Sequence, residues 1–446
     1  MDSNENTEIS SLYSAPGRRF FFVRDLQALM DNKDYPEQSI ILLNIEIENI
    51  GFILRTFGPD VCDKIISELA NKISSVTSSV NTNYSKYLYH LNHFRFAQIL
   101  IDCNLRTAFD LTKILVKELE DSVSVDDIHF NVDIKIGISQ YPNHADNVSE
   151  LIRTAAFASH LARKGNHDYA MYDSVKDTWE KYQFRLLTDV ERALTSLNEI
   201  RLAYQPLINL KTGKCDKAEG LCRWRHPVFG DIAPDNFIPF VEQSDLIIPF
   251  TETILELGLG FIKKFKGHKF DGSLAINLSV SVFQKAEFIP KIMDIFNYYN
   301  IDVKEITFEI TETALMEHPK SSILILNQLS ELGFGIAIDD FGSGYSSLAY
   351  LVDLPFSVLK IDRRFISEID QPKNEVIIEV ASSLAEKLGF ETVAEGIETE
   401  LQYKKCIELN VTYGQGYYFA KPMFDDDFFD WVSTYGSDIS KQINGN

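Results

Sequence analysis

The sequence predicts an α/β protein in two parts, a (β/α)₈ barrel over about residues 185–440 and a smaller α/β domain before it, over 18–172. Three observations carry this. Eight short apolar segments alternate with helical patterns through the second half, which is what such a barrel needs. Almost every one of those segments ends on an acid, an amide or a lysine. Between the halves, TWEKYQFRLLTDVERALTSL has no Pro or Gly and repeats apolar residues helically, so residues 173–184 are expected as a stiff helical linker. A length of 446 residues, with 45% hydrophobic and 24% charged residues, fits a globular chain of two or three domains.

Residues 1–17 are expected to be disordered, and their acidic start, MDSNENTEISS, is the opposite of a signal peptide. From Arg18 onward, SIILLNIEI reads as a strand and PDVCDKIISELANKISSV as a helix, with apolar residues three and four apart. YLYHLNHFRFAQILI and FNVDIKIGISQYP, rich in β-branched and aromatic residues, each read as a strand. SELIRTAAFASHLARKGN is a helix closing at Gly165-Asn166.

In the second half, strands are placed at RLAYQPLI, KAEGLCRW, GSLAINLS, EITFEITE, FGIAIDDF, SVLKID, FETVAEGI and TYGQGYYFA. The helix EVIIEVASSLAEKLG is expected to bury a stripe of Val376, Val380, Leu384 and Leu388 before Gly389 stops it.

The polar strand ends are, in order, Gln205, Glu219, Asn277, Glu309, Asp339-Asp340, Lys360, Glu395 and Gln415. In a barrel these ends converge on the face where active sites lie. Charges inside apolar strands are costly to bury unless they are paired or bound to metal. Five acids at one mouth with few cations would have raised pKa values or require divalent cations. Carboxylates plus an amide suit Mg²⁺ or Mn²⁺ rather than zinc. Two such ions could clamp the attacking and leaving oxygens of a phosphodiester. Adjacent Asp339 and Asp340 would ordinarily face opposite ways, but both can reach the mouth where the backbone turns at the strand's end. Lys360 then supplies a cation near the water or the phosphate. His226 has no partner at ligand spacing. Taken singly, an Asp-Asp before a glycine is more often a turn former and a lone Lys or Glu a solvated tip. Repetition on every strand makes that bland reading poor.

A net charge of −22 argues against long DNA or RNA as a ligand. No apolar run is long enough to span a bilayer, since Glu46, Glu48, Glu252 and Glu256 interrupt the best candidates. Five scattered cysteines (Cys62, Cys103, Cys215, Cys222 and Cys406) show no CxxC pair and read as small buried residues in a reducing compartment. A soluble, cytoplasmic protein is expected.

From about Arg185 to Pro422 the chain resembles the EAL family of cyclic di-GMP phosphodiesterases. The resemblance rests on YQP (Tyr204–Pro206), EGLCRWRHP (Glu219–Pro227), FIPFVEQS (Phe237–Ser244), NLS (Asn277–Ser279), EITET (Glu309–Thr313), DDFGSGYSSL (Asp339–Leu348), LKID (Leu359–Asp362), AEGIE (Ala394–Glu398) and QGYYFAKP (Gln415–Pro422). It implies hydrolysis of cyclic di-GMP to linear pGpG by in-line attack, with two ions of Mg²⁺ or Mn²⁺. Glu219, Asn277, Glu309, Asp339, Asp340 and Glu395 resemble the metal ligands, and Lys360 the lysine that positions or activates the water. Glu312 and Glu398 resemble the acids that shape the DDFGSGYSS loop. Gln205, Leu221, Arg223 and Gln415 resemble substrate contacts, with Arg223 able to pair with a phosphate oxygen. Departures are Gly220 for the usual Ala, which could loosen its strand, Cys222 for a common Leu and Ser343 for a typical Thr. The resemblance also suggests a homodimer through the barrel.

Residues 18–172 resemble the GGDEF diguanylate cyclase fold, in IKIGISQYP, in LIRTAAFASHLARKGN and around Gly58. The signature positions read Asn92, His93, Phe94, Arg95 and Phe96, so the phosphate-approaching glycines and the metal-holding acids are gone. Leu54 and Arg55 stand where the family reads guanine, Glu46 stands at the usual metal-binding Asp, and Asn83–Lys86 replace the product-inhibition RxxD. This half is expected to be a catalytically inactive cyclase, serving as a regulatory, dimerising or protein-binding module or standing as a structural remnant. The alternatives to an enzyme are a non-hydrolysing cyclic di-GMP receptor signalling through the helix near Tyr182, and a scaffold without a nucleotide ligand.

Overall fold

The computed structural model describes residues 18–435 apart from 33–38, 121, 122, 127, 197, 198, 267–269, 271, 318 and 343–353. The expected disordered terminus and most of DDFGSGYSSL lie outside the described residues. The chain divides into two compact units, Met1–Lys181 and Tyr182–Asn446. The division falls inside one unbroken helix, Ser174–Thr195.

In the first unit five strands form a sheet in the order Leu88–Asn92, Arg95–Ile101, Ile40–Ile47, Ile134–Tyr141, Tyr169–Met171. Ile40–Ile47 sits at the centre, is buried throughout and pairs antiparallel with both neighbours. A strand covered on both faces must be apolar on both, which is why this run does not alternate. Ile41, Leu43 and Ile45 pack with the helices Pro59–Val80 and Leu105–Glu120, whereas Ile40 and Leu42 pack with the helix Val148–Lys164. That last helix lies so close to the sheet that a Cβ on Gly137 would stand 2.0 Å from the Ala155 carbonyl oxygen, so only glycine fits.

One expectation needs correction here. YLYHLNHFRFAQILI is a hairpin, not one strand, turning at His93-Phe94, where the Asn92 side chain accepts from the Phe94 N–H at 2.9 Å. FNVDIKIGISQYP forms one strand, Ile134–Tyr141, which starts four residues into the expected segment.

In the second unit all eight expected strands form: Ile200–Asn209, Cys215–His226, Ser273–Asn277, Ile306–Thr311, Gly335–Phe341, Val358–Ile361, Glu391–Ala394 and Tyr413–Gly414. The first pairs with both the second and the eighth and closes the barrel. It runs antiparallel to both, while the second to eighth strands are parallel. The strict strand–helix alternation therefore fails at the start, because residues 210–214 are too few for a crossover and make a hairpin instead. Gly220 does not loosen its strand; it keeps register with Tyr204 and Ile276 on its two sides.

The helix Pro372–Leu388 ends at left-handed Gly389 as expected, but on a different face from the one expected. It buries Ile378, Ala381, Ser382 and Ala385 and leaves Val376 and Val380 54% and 58% exposed. Cys62, Cys103 and Cys406 are buried, Cys215 and Cys222 are half-buried, and all five are free thiols. Among the described residues no helix is long and apolar enough to cross a membrane.

Candidate active site

Lys360, from the sixth barrel strand, is 1% exposed, and its ammonium stands among carboxylates from four other strands. Nζ lies 2.7 Å from Glu309, 2.7 Å from Glu395, 3.2 Å from Asp339 and 3.6 Å from Glu219. Burial alone would depress the lysine, but these four acids raise its pKa well above the usual value. One cation cannot satisfy four acids. Burial, with Glu219 as neighbour, pushes Glu309 well up, and burial lifts Glu395 to about 8 against the pull of Lys360. Glu219 is held below the ordinary range, because Lys360 and hydrogen bonds from Gln415 and Asn277 outweigh its burial.

Asp340 reaches the same face through its backbone. Its φ is +54°, and the register against the sixth strand slips between Ile338 and Phe341. A bulge of this kind re-aims a side chain. Oxygens of Asp339, Asp340 and Glu395 consequently come within 4.8 Å of one another, an all-oxygen set that fits a hard divalent cation. Burial, with Asp339 and Asp362 as neighbours, raises the Asp340 carboxyl against the pull of Lys360 and Arg364.

Two glutamines brace Glu219. Gln415 Nε2 donates to Glu219 at 2.6 Å and to Gln205 Oε1 at 3.0 Å, and Gln205 donates in turn to the Ala420 carbonyl at 3.0 Å. Asn277 donates to the other Glu219 oxygen at 3.0 Å. Among the described residues Gln415 Oε1 is buried with no partner, an acceptor available to a donor in the cavity. Glu312, also buried, accepts from the Gly342 N–H at 2.9 Å and so grips the chain just before residues 343–353.

A cavity of about 690 Å³ opens over this cluster. Of the sequence-predicted residues, Gln205, Glu219, Leu221, Asn277, Asp339, Lys360, Glu395, Glu398 and Gln415 line it. Glu309, Asp340 and Glu312 are not in its wall, and neither is Arg223, whose guanidinium donates to the Cys222 carbonyl at 2.8 Å. Arg363, Arg364 and Tyr417 line the cavity without having been singled out by sequence. The adjacent pair Arg363-Arg364 directly after a strand end was the available signal. His226 is buried, sits 3.0 Å from Asp189 and accepts from the Val228 and Phe229 N–H groups, a structural position remote from any ligand set.

In the first unit, Glu46 lies at the expected cyclase position but is fully engaged. Arg95 and Arg163 each reach it at 2.6 Å and Asn44 at 3.0 Å. Its burial would raise its pKa, yet Asn44 and the two arginines hold it below the ordinary range. The adjoining cavity, about 380 Å³, is walled by Glu46, Glu48, Asn92, Phe94, Arg95 and Arg163, among others.

Residues 188–422 match the EAL domain family, and residues 14–168 match the diguanylate cyclase GGDEF domain family. The chain belongs to the EAL-domain family and carries a GGDEF domain ahead of its EAL domain. Cyclic di-GMP phosphodiesterase PA2567 of Pseudomonas aeruginosa is 29% identical over 385 residues, covering 86% of this chain and 65% of that protein. MucR of the same organism, described as a bifunctional diguanylate cyclase/cyclic di-GMP phosphodiesterase, is 29% identical over 400 residues, 89% of this chain and 57% of that one. The chain thus spans less than two thirds of the length of these relatives. Among solved structures, the PaMucR phosphodiesterase in complex with c-di-GMP is 35% identical, with a TM-score of 0.52, over 55% of this chain and 99% of that one. The EAL enzyme Bd1971, with cAMP and cyclic-di-GMP bound, is 26% identical at a TM-score of 0.54, over 76% of this chain and 83% of that one.

Proposed function

We propose that the chain hydrolyses cyclic di-GMP to linear pGpG with Mg²⁺ or Mn²⁺, and that its GGDEF unit makes no cyclic di-GMP. The observation that carries the first part is the ring of acids around buried Lys360, open to a cavity of substrate size. Glu219, Asn277, Glu309, Asp339, Asp340 and Glu395 would hold the cations. Ions bound there supply Lewis-acid charge to the diester and acidify water. The chain's own residues do the rest. Lys360, buried among those acids, would hold the attacking water or a phosphate oxygen. Gln205 and Gln415 fix Glu219 and offer amide groups to the dinucleotide, and Leu221 gives it an apolar contact. Glu312, which accepts from the Gly342 N–H, and Glu398, in the cavity wall, would serve as the positioning acids.

The second part rests on Glu46. An acid already shared by two guanidiniums and an amide has little left for a metal ion. In this reading residues 185–440 are the catalytic domain, 18–172 a regulatory, dimerising or protein-binding domain, and 173–184 the helical connection. The active form is a homodimer, and five free thiols fit a cytoplasmic setting.

The test is turnover of cyclic di-GMP with and without Mg²⁺ or Mn²⁺, on the wild type and on Glu219→Ala. Metal-dependent release of pGpG by the wild type alone supports the enzyme. Binding without turnover in the wild type would replace it with the receptor reading.

A further inference from the structure

The cavity wall carries three cations, and two of them are already committed. Lys360 stands inside the acid cluster, among its four carboxylates, and so belongs to the end of the cavity that serves the scissile diester. Arg364 turns to Asp362, with Nε 3.1 Å from the carboxylate. The third, Arg363, is exposed and has no hydrogen-bond or ion-pair partner among the described residues.

Its place is nevertheless fixed. A Cβ on Gly396 would come within 2.7 Å of the Arg363 Cβ, so the backbone directly after Glu395 packs against the arginine's stem. Gly396 has a φ of +73°, a conformation that glycine adopts without strain. Gln402 ties the same wall together, accepting from the Glu398 and Thr399 N–H groups and donating to the Ser367 carbonyl. A free guanidinium is thus presented from a braced surface, beside the acid cluster but not in it.

Resting on the phosphodiesterase reading, we infer that Arg363 binds the second phosphate of the cyclic dinucleotide, the one that is not cut. The substrate carries two phosphodiesters in one ring. The acid cluster, with its cations, serves the scissile one. The other enters the same cavity as an anion, and an anion taken out of water needs its own cation. Arg363 is the uncommitted group on that wall, and a planar fork suits two phosphate oxygens at once. Arg223, which the sequence suggested for phosphate, is not in the wall. Arg363 is accordingly a specificity residue that separates a cyclic dinucleotide from a simple diester.

Steady-state kinetics on the full chain tests this, with Arg363→Gln and Arg363→Lys against two substrates. Cyclic di-GMP has two phosphates; bis(p-nitrophenyl) phosphate has one. Loss of a charged hydrogen-bonding group predicts a KM for cyclic di-GMP about tenfold higher in Arg363→Gln. Turnover number should stay within about threefold, as for a group that binds ground and transition states alike. Arg363→Lys should fall between, and the single-phosphate diester should be handled as in the wild type. An unchanged KM for cyclic di-GMP, or equal losses on both substrates, overturns the inference and leaves the phosphodiesterase standing. A wild type that cleaves neither substrate overturns both.

Discussion

Asp340 holds a left-handed backbone at the point where two acids must face one way. Asp and Asn tolerate that conformation, whereas a β-branched residue does not. Asp340→Asn should therefore melt close to the wild type yet lose Mn²⁺ affinity by calorimetric titration. Asp340→Val should lose the affinity and also about 1–2 kcal/mol of stability. If the two variants melt alike, the backbone argument is wrong. At this scale the site was largely readable from sequence, because an acid ending an apolar strand has few bland explanations. Arg223 shares a strand face with Glu219, and its guanidinium turns to the neighbouring Cys222 carbonyl. Arg363 was missed because a charged pair opening a short helix reads as a solvated face.

Helices show what periodicity does and does not say. Pro372–Leu388 has apolar residues on more than one side, so spacing alone could not choose the buried face. Ile378→Ala is expected to cost about 2–4 kcal/mol by urea denaturation, and Val380→Ser to stay within about 0.5; similar costs for the two would contradict the observed face. The antiparallel first barrel strand could have been read from its short connection to the second, since chain length there forbids a crossover. The helix Ser174–Thr195 was legible in its body, though it begins four residues before the expected Thr178, and its first half is tied down by Asp177. Burial favours the neutral acid, but bonds from Arg153, Tyr172 and Lys181 prevail and hold its pKa at about 2, below an ordinary value of 3.8. A depressed carboxyl stabilises the fold above its unfolded pKa and loses that contribution as pH falls through the folded one. Between about pH 4 and pH 2 the wild type should lose about 1–2 kcal/mol that Asp177→Asn never had, the figure discounted because Arg153 is partly solvated. Parallel pH profiles for the two would remove Asp177 from the account.

For the whole molecule the question is whether both enzymatic folds work. Each unit has its own buried core, one around Ile41, Leu43 and Ile45 and one around Phe308, Ile336 and Leu359, so each can fold whether or not it catalyses. A relative such as MucR is described as bifunctional, so the GGDEF domain's presence decides nothing. The residues do. A site for a triphosphate and its cations needs acids for the metals and glycines where the backbone approaches the phosphates. Here the hairpin turn carries Phe94, 46% exposed, and the strand's Glu46 is shared by Arg95 and Arg163. A product made slowly would escape notice if the barrel consumed it. The informative sample is therefore Glu219→Ala, whose barrel is expected not to cleave, incubated with GTP and Mg²⁺ or Mn²⁺ and followed by mass spectrometry. No accumulation of cyclic di-GMP is expected, even over hours. Accumulation in this variant, with none in the wild type, would mean that the chain both makes and destroys the nucleotide, and that the arginines around Glu46 open when GTP arrives.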